Sequence, residues 1–266
     1  MTAAEKGIAE MSILNAFSLE SRVIVVTGAT SGIGRAIAIA CADAGATVAA
    51  IGRNRQKLDD LKPELDQYGH PCFCESFDVT DYEKIPDLIS RIVSQCGKIG
   101  GFVHAAGTAL TCPIRMMNAK AYEDIYAVNV IAGFEFVRVI SSKRYLAEEA
   151  SMLFIGSVAG IKGEPALLAY SSSKGAVLAG VRSMAVELGS RNIRVNALIP
   201  GLIMDTDMGR SIIGALPQDA AQRLEKQHLL GWGNVEAITP SVIYFLSRAW
   251  LWVTGSSLTV DGGYTL

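Results

Sequence analysis

The chain has few cysteines, little charge imbalance and no long apolar run, and each shortage removes a class of protein. Its five cysteines, Cys41, Cys72, Cys74, Cys96 and Cys112, are odd in number and scattered, which does not read as a disulfide framework. Cys72-Phe73-Cys74 lacks a second Cys or His cluster to complete four ligands, so no metal site is expected and the thiols are read as buried and free. Lys and Arg number 24 against 26 Asp and Glu, and the formal charge of −2 gives no general pull toward nucleic acid or an anionic membrane. No apolar run reaches the roughly 18 to 20 residues of a transmembrane helix. The opening MTAAEKGIAEMSILNAFSLE carries Glu5, Lys6 and Glu10 and lacks an apolar core with a cleavage site, so it is not read as a signal peptide. A cytoplasmic protein is expected.

What is present suits a folded α/β chain: half the residues are hydrophobic and 26 are Gly. No linker or repeat divides it, so one domain is expected over residues 19–266, preceded by a flexible extension over 1–18. Short β-rich runs alternate with helical patterns. Strands are expected at Val23–Thr27, Thr47–Ile51, Cys72–Phe77, Gly101–Ala105, Met152–Gly156, Val195–Ile199 and Ser257–Val260. Helices are expected at Gly32–Ala44, Asn54–Gln67, Tyr82–Gln95, Asn118–Leu146, Ala169–Gly189 and Val235–Ser247. This is the pattern of a doubly wound parallel sheet of about seven strands with helices on both faces.

Gly28, Thr30, Ser31, Gly32, Ile33 and Gly34 lie between the first strand and the first helix. Glycines there let the backbone turn sharply and approach a pyrophosphate, which the helix's free N–H groups attract. Where an NAD site places an acid after the second strand, this chain has Arg53, with Arg55, Ser31 and Arg35 nearby. A cation favours a 2′-phosphate, so NADP(H) is the expected cofactor; the alternative is that Arg53 is a solvated loop charge. Tyr170 and Lys174 stand one helical turn apart on one face. Ser157 precedes them at the end of a strand-like run, Asn129 lies in a helix before that, and Pro200-Gly201 follows the next strand.

Together these motifs, from about Leu19 to Tyr264, resemble the short-chain dehydrogenase/reductase family, of the single-domain Rossmann type. The resemblance implies a carbonyl reductase or alcohol dehydrogenase. Tyr170 would be the proton donor, its pKa lowered by Lys174, and Ser157 would polarise the substrate oxygen. Lys174 would also bind the nicotinamide ribose, and Asn129 would kink its helix and hold a water. By the same resemblance Asp78 and Val79 would bind adenine, Ala106 and Gly107 would lie under the cofactor, and Pro200, Gly201 and Ile203 would line the nicotinamide.

The chain departs from the family where His104-Ala105-Ala106-Gly107 replaces N-N-A-G, and His104 is expected to substitute structurally. An extra residue in Pro200-Gly-Leu-Ile-Met-Asp-Thr206 leaves the role of Thr206 open. A lid is expected over about residues 203–230, closing on a small-molecule carbonyl or alcohol. The chain most resembles 3-oxoacyl-(acyl-carrier-protein) reductases, which implies a carrier-bound acyl chain as possible substrate. Arg191 could grip an acidic carrier, whereas Glu148 and Glu149, read as the end of the long helix before Ser157, would repel one. A free ketone, a keto-sugar and another thioester stay open, as does an NADP(H)-binding regulator without catalysis. The family also implies a homotetramer.

Overall fold

The first strand shows why the sheet forms. In Val23–Thr27 (β1) every residue is buried, with Val23 and Val25 facing one side and Ile24 and Val26 the other. A β-branched run with both faces covered belongs in the middle of a parallel sheet. The computed structural model describes residues 13–266. Its other strands are Thr47–Gly52 (β2), Cys72–Ser76 (β3), Ile99–His104 (β4), Leu146–Ile155 (β5), Arg194–Pro200 (β6) and Ser257–Val260 (β7). They form one seven-stranded sheet in the order β3-β2-β1-β4-β5-β6-β7, with all neighbouring strands parallel. This is a Rossmann-like α/β fold.

Helices cover both faces. Gly32–Asp43 (α1), Arg55–Asp66 (α2) and a C-terminal helix, Val235–Leu246, pack around Ile37, Leu58, Leu61 and Phe245. Ile85–Cys96 (α3), Ala119–Tyr126 (α4), Ala132–Ile140 (α5) and Leu168–Leu188 (α6) lie beside the other core group. There the Phe102 and Phe136 rings stack at 5.4 Å between centroids, joining β4 to α5. Asp207–Gly214 (α7) and Gln218–Gln227 (α8) stand in the expected lid, and Val235–Leu246 is α9.

Two expectations are corrected. The helix read over Asn118–Leu146 is not continuous: a π turn, Ala127–Ile131, separates α4 from α5, α5 stops at Ile140, and Leu146 begins β5. Glu148 and Glu149 therefore lie in a strand, where Glu149 has a positive φ of 55° and pairs with Arg248 at 3.7 Å. The thiols are not uniformly buried either, since only Cys41 is, and the other four are half-buried. Cys72 instead bonds Asp66 across the end of α2. Of the extension read over 1–18, residues 1–12 lie outside the described residues. Asn15–Phe17 form a 3-10 turn in which Ala16 is buried and Phe17 stacks on Tyr244.

The Asp81 side chain pairs with Lys84 and makes no cap bond, while Asn54 and Asn118 cap α2 and α4. Among the described residues no helix is long and apolar enough to cross a membrane.

Candidate active site

The strand order reverses direction between β1 and β4, and in a parallel sheet the crevice at that switch lies outside the strands' C-terminal ends. The segments following β1, β2, β4, β5 and β6 all emerge at that edge.

The turn after β1 has φ of +73° at Gly28 and +51° at Gly32, a region that glycine enters without strain. A Cβ on Gly28 would come within 2.7 Å of the Ala106 nitrogen, so the loop presses directly on the chain leaving β4. A Cβ on Gly34 would come within 2.3 Å of the Gly28 oxygen. Ser31 occupies the N-cap of α1 without a side-chain cap bond, and the first turn contains no acid. The first turn of a helix has N–H groups without intrahelical partners. This cradle, with its open helix start, fits a dinucleotide pyrophosphate. Thr30 packs its methyl against Gly52, and Ile33 sits beside the core under α1.

At the end of β2, Arg53 is exposed and forms no ion pair among the described residues, whereas Arg35 pairs with Glu64 and Arg55 with Asp59. Asp78 accepts from the Thr80 amide at 2.9 Å and the Thr80 hydroxyl at 2.7 Å. Burial pushes the Asp78 carboxyl up, but those two bonds and nearby Arg53 outweigh it and leave it below the ordinary range. Val79 is buried beside it, while Ala106 and Gly107 continue from β4 over the glycine turn. Pro200 closes β6, Gly201 packs on Asp261, and buried Ile203 bridges to Gly233.

Ser157, Tyr170 and Lys174 come together at the mouth of β5 and the start of α6. Ser157 stands near enough to the Tyr170 phenol to favour its anion. Burial raises the Tyr170 phenol, and Ser157 pulls it the other way. The Lys174 ammonium, 5.7 Å from the Tyr170 ring centroid, donates to the Ile155 carbonyl at 2.8 Å and is itself pushed down to about 8 by burial.

Asn129 sits in the π turn with every amide group used. Its Oδ1 accepts from the Thr108 amide at 2.8 Å, while Nδ2 donates to the Thr108 carbonyl at 2.9 Å and to Ser173 Oγ at 3.0 Å. Ser173 in turn donates to the Tyr170 carbonyl at 2.7 Å. The sequence reading missed Thr108, Ser173, Thr27 and Tyr82. Ser173 was open to view inside the Tyr170–Lys174 spacing, whereas nothing local marks Tyr82.

His104 is fully enclosed between β1 and the π turn. Its Nε2 lies 3.0 Å from the Val128 carbonyl, which can only accept, so Nε2 carries the proton and Nδ1 accepts from Thr27 Oγ1 at 3.0 Å. Burial and Lys174 push this imidazole down to about 4. Thr206 is likewise committed: its hydroxyl donates to the Ile203 carbonyl and accepts from the Gly209 amide, capping α7. The end of the lid is braced by Tyr264, whose ring carries Lys162 Nζ at 3.5 Å and stacks on His228 at 4.4 Å, while its hydroxyl bonds Glu164. Among the described residues no cluster of three His, Cys, Asp or Glu is placed to hold a metal ion.

A parallel sheet carrying a glycine cradle and a Ser-Tyr-Lys group at one edge defines the class of dinucleotide-binding α/β oxidoreductases. The comparisons narrow this. A family model described as enoyl-(acyl carrier protein) reductase matches residues 28–265. A 2-(S)-hydroxypropyl-CoM dehydrogenase 3 from Xanthobacter autotrophicus is 35% identical over 93% of this chain and 98% of its own. A 3-oxoacyl-[acyl-carrier-protein] reductase from Thermotoga maritima is 31% identical over 93% and 99%. A solved 7α-hydroxysteroid dehydrogenase, complexed with NADH and 7-oxo glycochenodeoxycholic acid, superposes with a TM-score of 0.88 at 29% identity, covering 95% of this chain and 98% of that one. The chain belongs to the short-chain dehydrogenase/reductase family, whose members use nicotinamide cofactors.

Proposed function

We propose that the protein is an NADP(H)-dependent carbonyl reductase in which Tyr170 gives the proton, Ser157 holds the carbonyl oxygen and Lys174 supports the phenolate. The observation that carries this reading is the buried Lys174 ammonium, held on the Ile155 carbonyl one helical turn after Tyr170 and beside the strand that leads to Ser157. When bound, the nicotinamide supplies the hydride. The substrate oxygen accepts from the Ser157 and Tyr170 hydroxyls and takes the Tyr170 proton as its negative charge develops. Lys174 is mostly protonated near neutral pH, and beside a new phenolate its charge favours the anion. Asn129 and Ser173 fix the turn of α6 that carries Tyr170.

Arg53 supports NADP(H), because among the described residues it has no carboxylate partner, whereas Arg35 and Arg55 each have one. The residues named for the cofactor, Gly28 to Gly34, Asp78, Val79, Ala106, Gly107, Pro200, Gly201 and Ile203, lie at or just after the C-terminal ends of β1, β3, β4 and β6, the side on which a dinucleotide would bind.

The substrate mouth is apolar. Leu110, Ile114 and Met116 after β4, Ile161 and Leu168 after β5, and Met208 in α7 are all exposed at the edge where Tyr170 lies. Such a rim favours a 3-oxoacyl thioester or a cyclic ketone over a keto-sugar. Relocating Glu148 and Glu149 into β5 removes them from the end of α5, where the chain instead continues Ser141-Ser142-Lys143-Arg144. Arg191 donates to the Ser141 carbonyl at that end. Exposed Val186 and Trp252 and the open edge of β7 support a homotetramer, and free thiols support a cytoplasmic setting.

The test is cofactor oxidation against acetoacetyl-CoA, a 3-oxoacyl carrier protein, cyclic ketones and keto-sugars, with NADPH and NADH in parallel. Tyr170→Phe should lower kcat by about 10² to 10⁴ without loss of fold. Cofactor binding with no turnover across the panel would favour a regulator.

A further inference from the structure

The π turn that carries Asn129 is gripped by two side chains from outside its own helix. Tyr82, in the short turn Tyr82–Lys84 after β3, donates its hydroxyl to the Ala127 carbonyl at 3.0 Å. That carbonyl also accepts from the Ala132 amide across the wide turn, so both its lone pairs are engaged. His104, at the end of β4, donates Nε2 to the Val128 carbonyl at 3.0 Å. The two donors seize consecutive carbonyls immediately before Asn129. A wide turn has looser internal bonding than an α-helix, so its position depends on such external partners.

We propose that His104 and Tyr82 are positioning residues for the proton-transfer step: they fix the π turn so that Asn129 can hold Ser173, and through it the Tyr170 backbone. The hydrogen-bond path is continuous apart from the peptide unit joining Val128 to Asn129. It runs from Thr27, at the root of the glycine turn, through His104 to Val128, then from Asn129 through Ser173 to Tyr170. Cofactor cradle and proton donor are thus set by one network. Gly133 belongs to the arrangement, since a Cβ there would come within 2.7 Å of the His104 ring and 2.6 Å of Phe154. Burial raises the Tyr82 phenol and lowers the His104 imidazole, so each stays in the neutral donor form through the ordinary pH range.

Tyr82→Phe removes one donor with little change of shape, and His104→Phe removes the other. His104→Gln leaves an amide N–H near the Nε2 position. Two readouts are needed, because the inference rests on Tyr170 as proton donor. The first is amide hydrogen exchange at Thr108, whose N–H is held by Asn129 Oδ1 at 2.8 Å. Tyr82→Phe should speed it about tenfold as the turn loosens. The second is steady-state kinetics with the best ketone of the panel. There Tyr82→Phe should lower kcat about tenfold with both KM values within about twofold, and His104→Gln should recover part of what His104→Phe loses.

Unchanged exchange at Thr108 in Tyr82→Phe overturns the proposal. So does faster exchange with wild-type kcat, because the bonds would then serve stability alone. If Tyr170→Phe keeps full turnover, the proton-donor reading fails instead, and exchange at Thr108 still decides whether the two donors place Asn129. Tyr82→Phe carries the test even where His104→Phe does not fold.

Discussion

The Lys174 ammonium donates to the Ile155 carbonyl at 2.8 Å, tying α6 to the strand that ends just before Ser157. The ammonium is buried and has one charged-group bond where in water it would have three, and burial pushes it down to about 8.

Lys174→Met should therefore stabilise the fold while removing turnover. The gain expected at pH 7 is about 1 to 3 kcal/mol, read as a higher urea midpoint. The folded value lies below the unfolded 10.5, so the cost of burying the charge is full below about pH 8 and fades as pH rises to 10.5. The two proteins should converge in that alkaline window. Equal stability at pH 7 would show that the ammonium is better satisfied than its single bond implies.

His104 gives an acid-side counterpart. Its imidazole titrates at about 4 in the fold against 6.5 unfolded. A depressed value contributes stability that is fully present above pH 6.5 and is lost as pH falls toward 4. Over that window the wild type should lose about 3 kcal/mol more than His104→Gln, measured by urea unfolding at pH 7, 5.5 and about 4. Parallel losses in the two proteins would sink the assignment.

Arg53→Asp should reverse cofactor choice. Losing one charge-assisted contact and adding a repulsive carboxylate should raise the KM for NADPH about tenfold to hundredfold, with NADH use improved. An unchanged NADPH-to-NADH ratio of kcat/KM would place the 2′-phosphate elsewhere.

The limits of β1 and β7 were legible to the residue, because Val23–Thr27 and Ser257–Val260 are short β-branched runs bounded by turn residues. The glycine turn and the Ser157–Tyr170–Lys174 spacing were legible for a similar reason, since their chemistry needs those residue types at fixed offsets. The break in the helix read over Asn118–Leu146 was hidden. Ala127–Ile131 is as apolar as a helix requires, and its wide turn is set by Tyr82 and His104, distant in the chain. Leu146 and Ala147 carry on a plausible helical period, yet both belong to β5, where Leu146 pairs with Ile99 of β4. The lid's apolar pattern was visible at Met208, Ile212 and Leu216, but its division into α7 and α8 depends on the Thr206 cap and the break at Pro217. His104 was legible as a departure at the end of β4, but its bonds to Thr27 and the Val128 carbonyl were not.

The contact of the glycine turn with Ala105 and Ala106 has a consequence for assembly. Thr27 and His104, which close that contact, stand 77 residues apart in the chain, with β2 and β3 made between them. The turn is thus synthesised early but stays without its floor until β4 slots in beside β1. Nucleotide affinity in this protein is a late-arriving property. A growing chain gains it only on completing its most distant central pairing, and a dinucleotide present at that moment selects the chains that have done so.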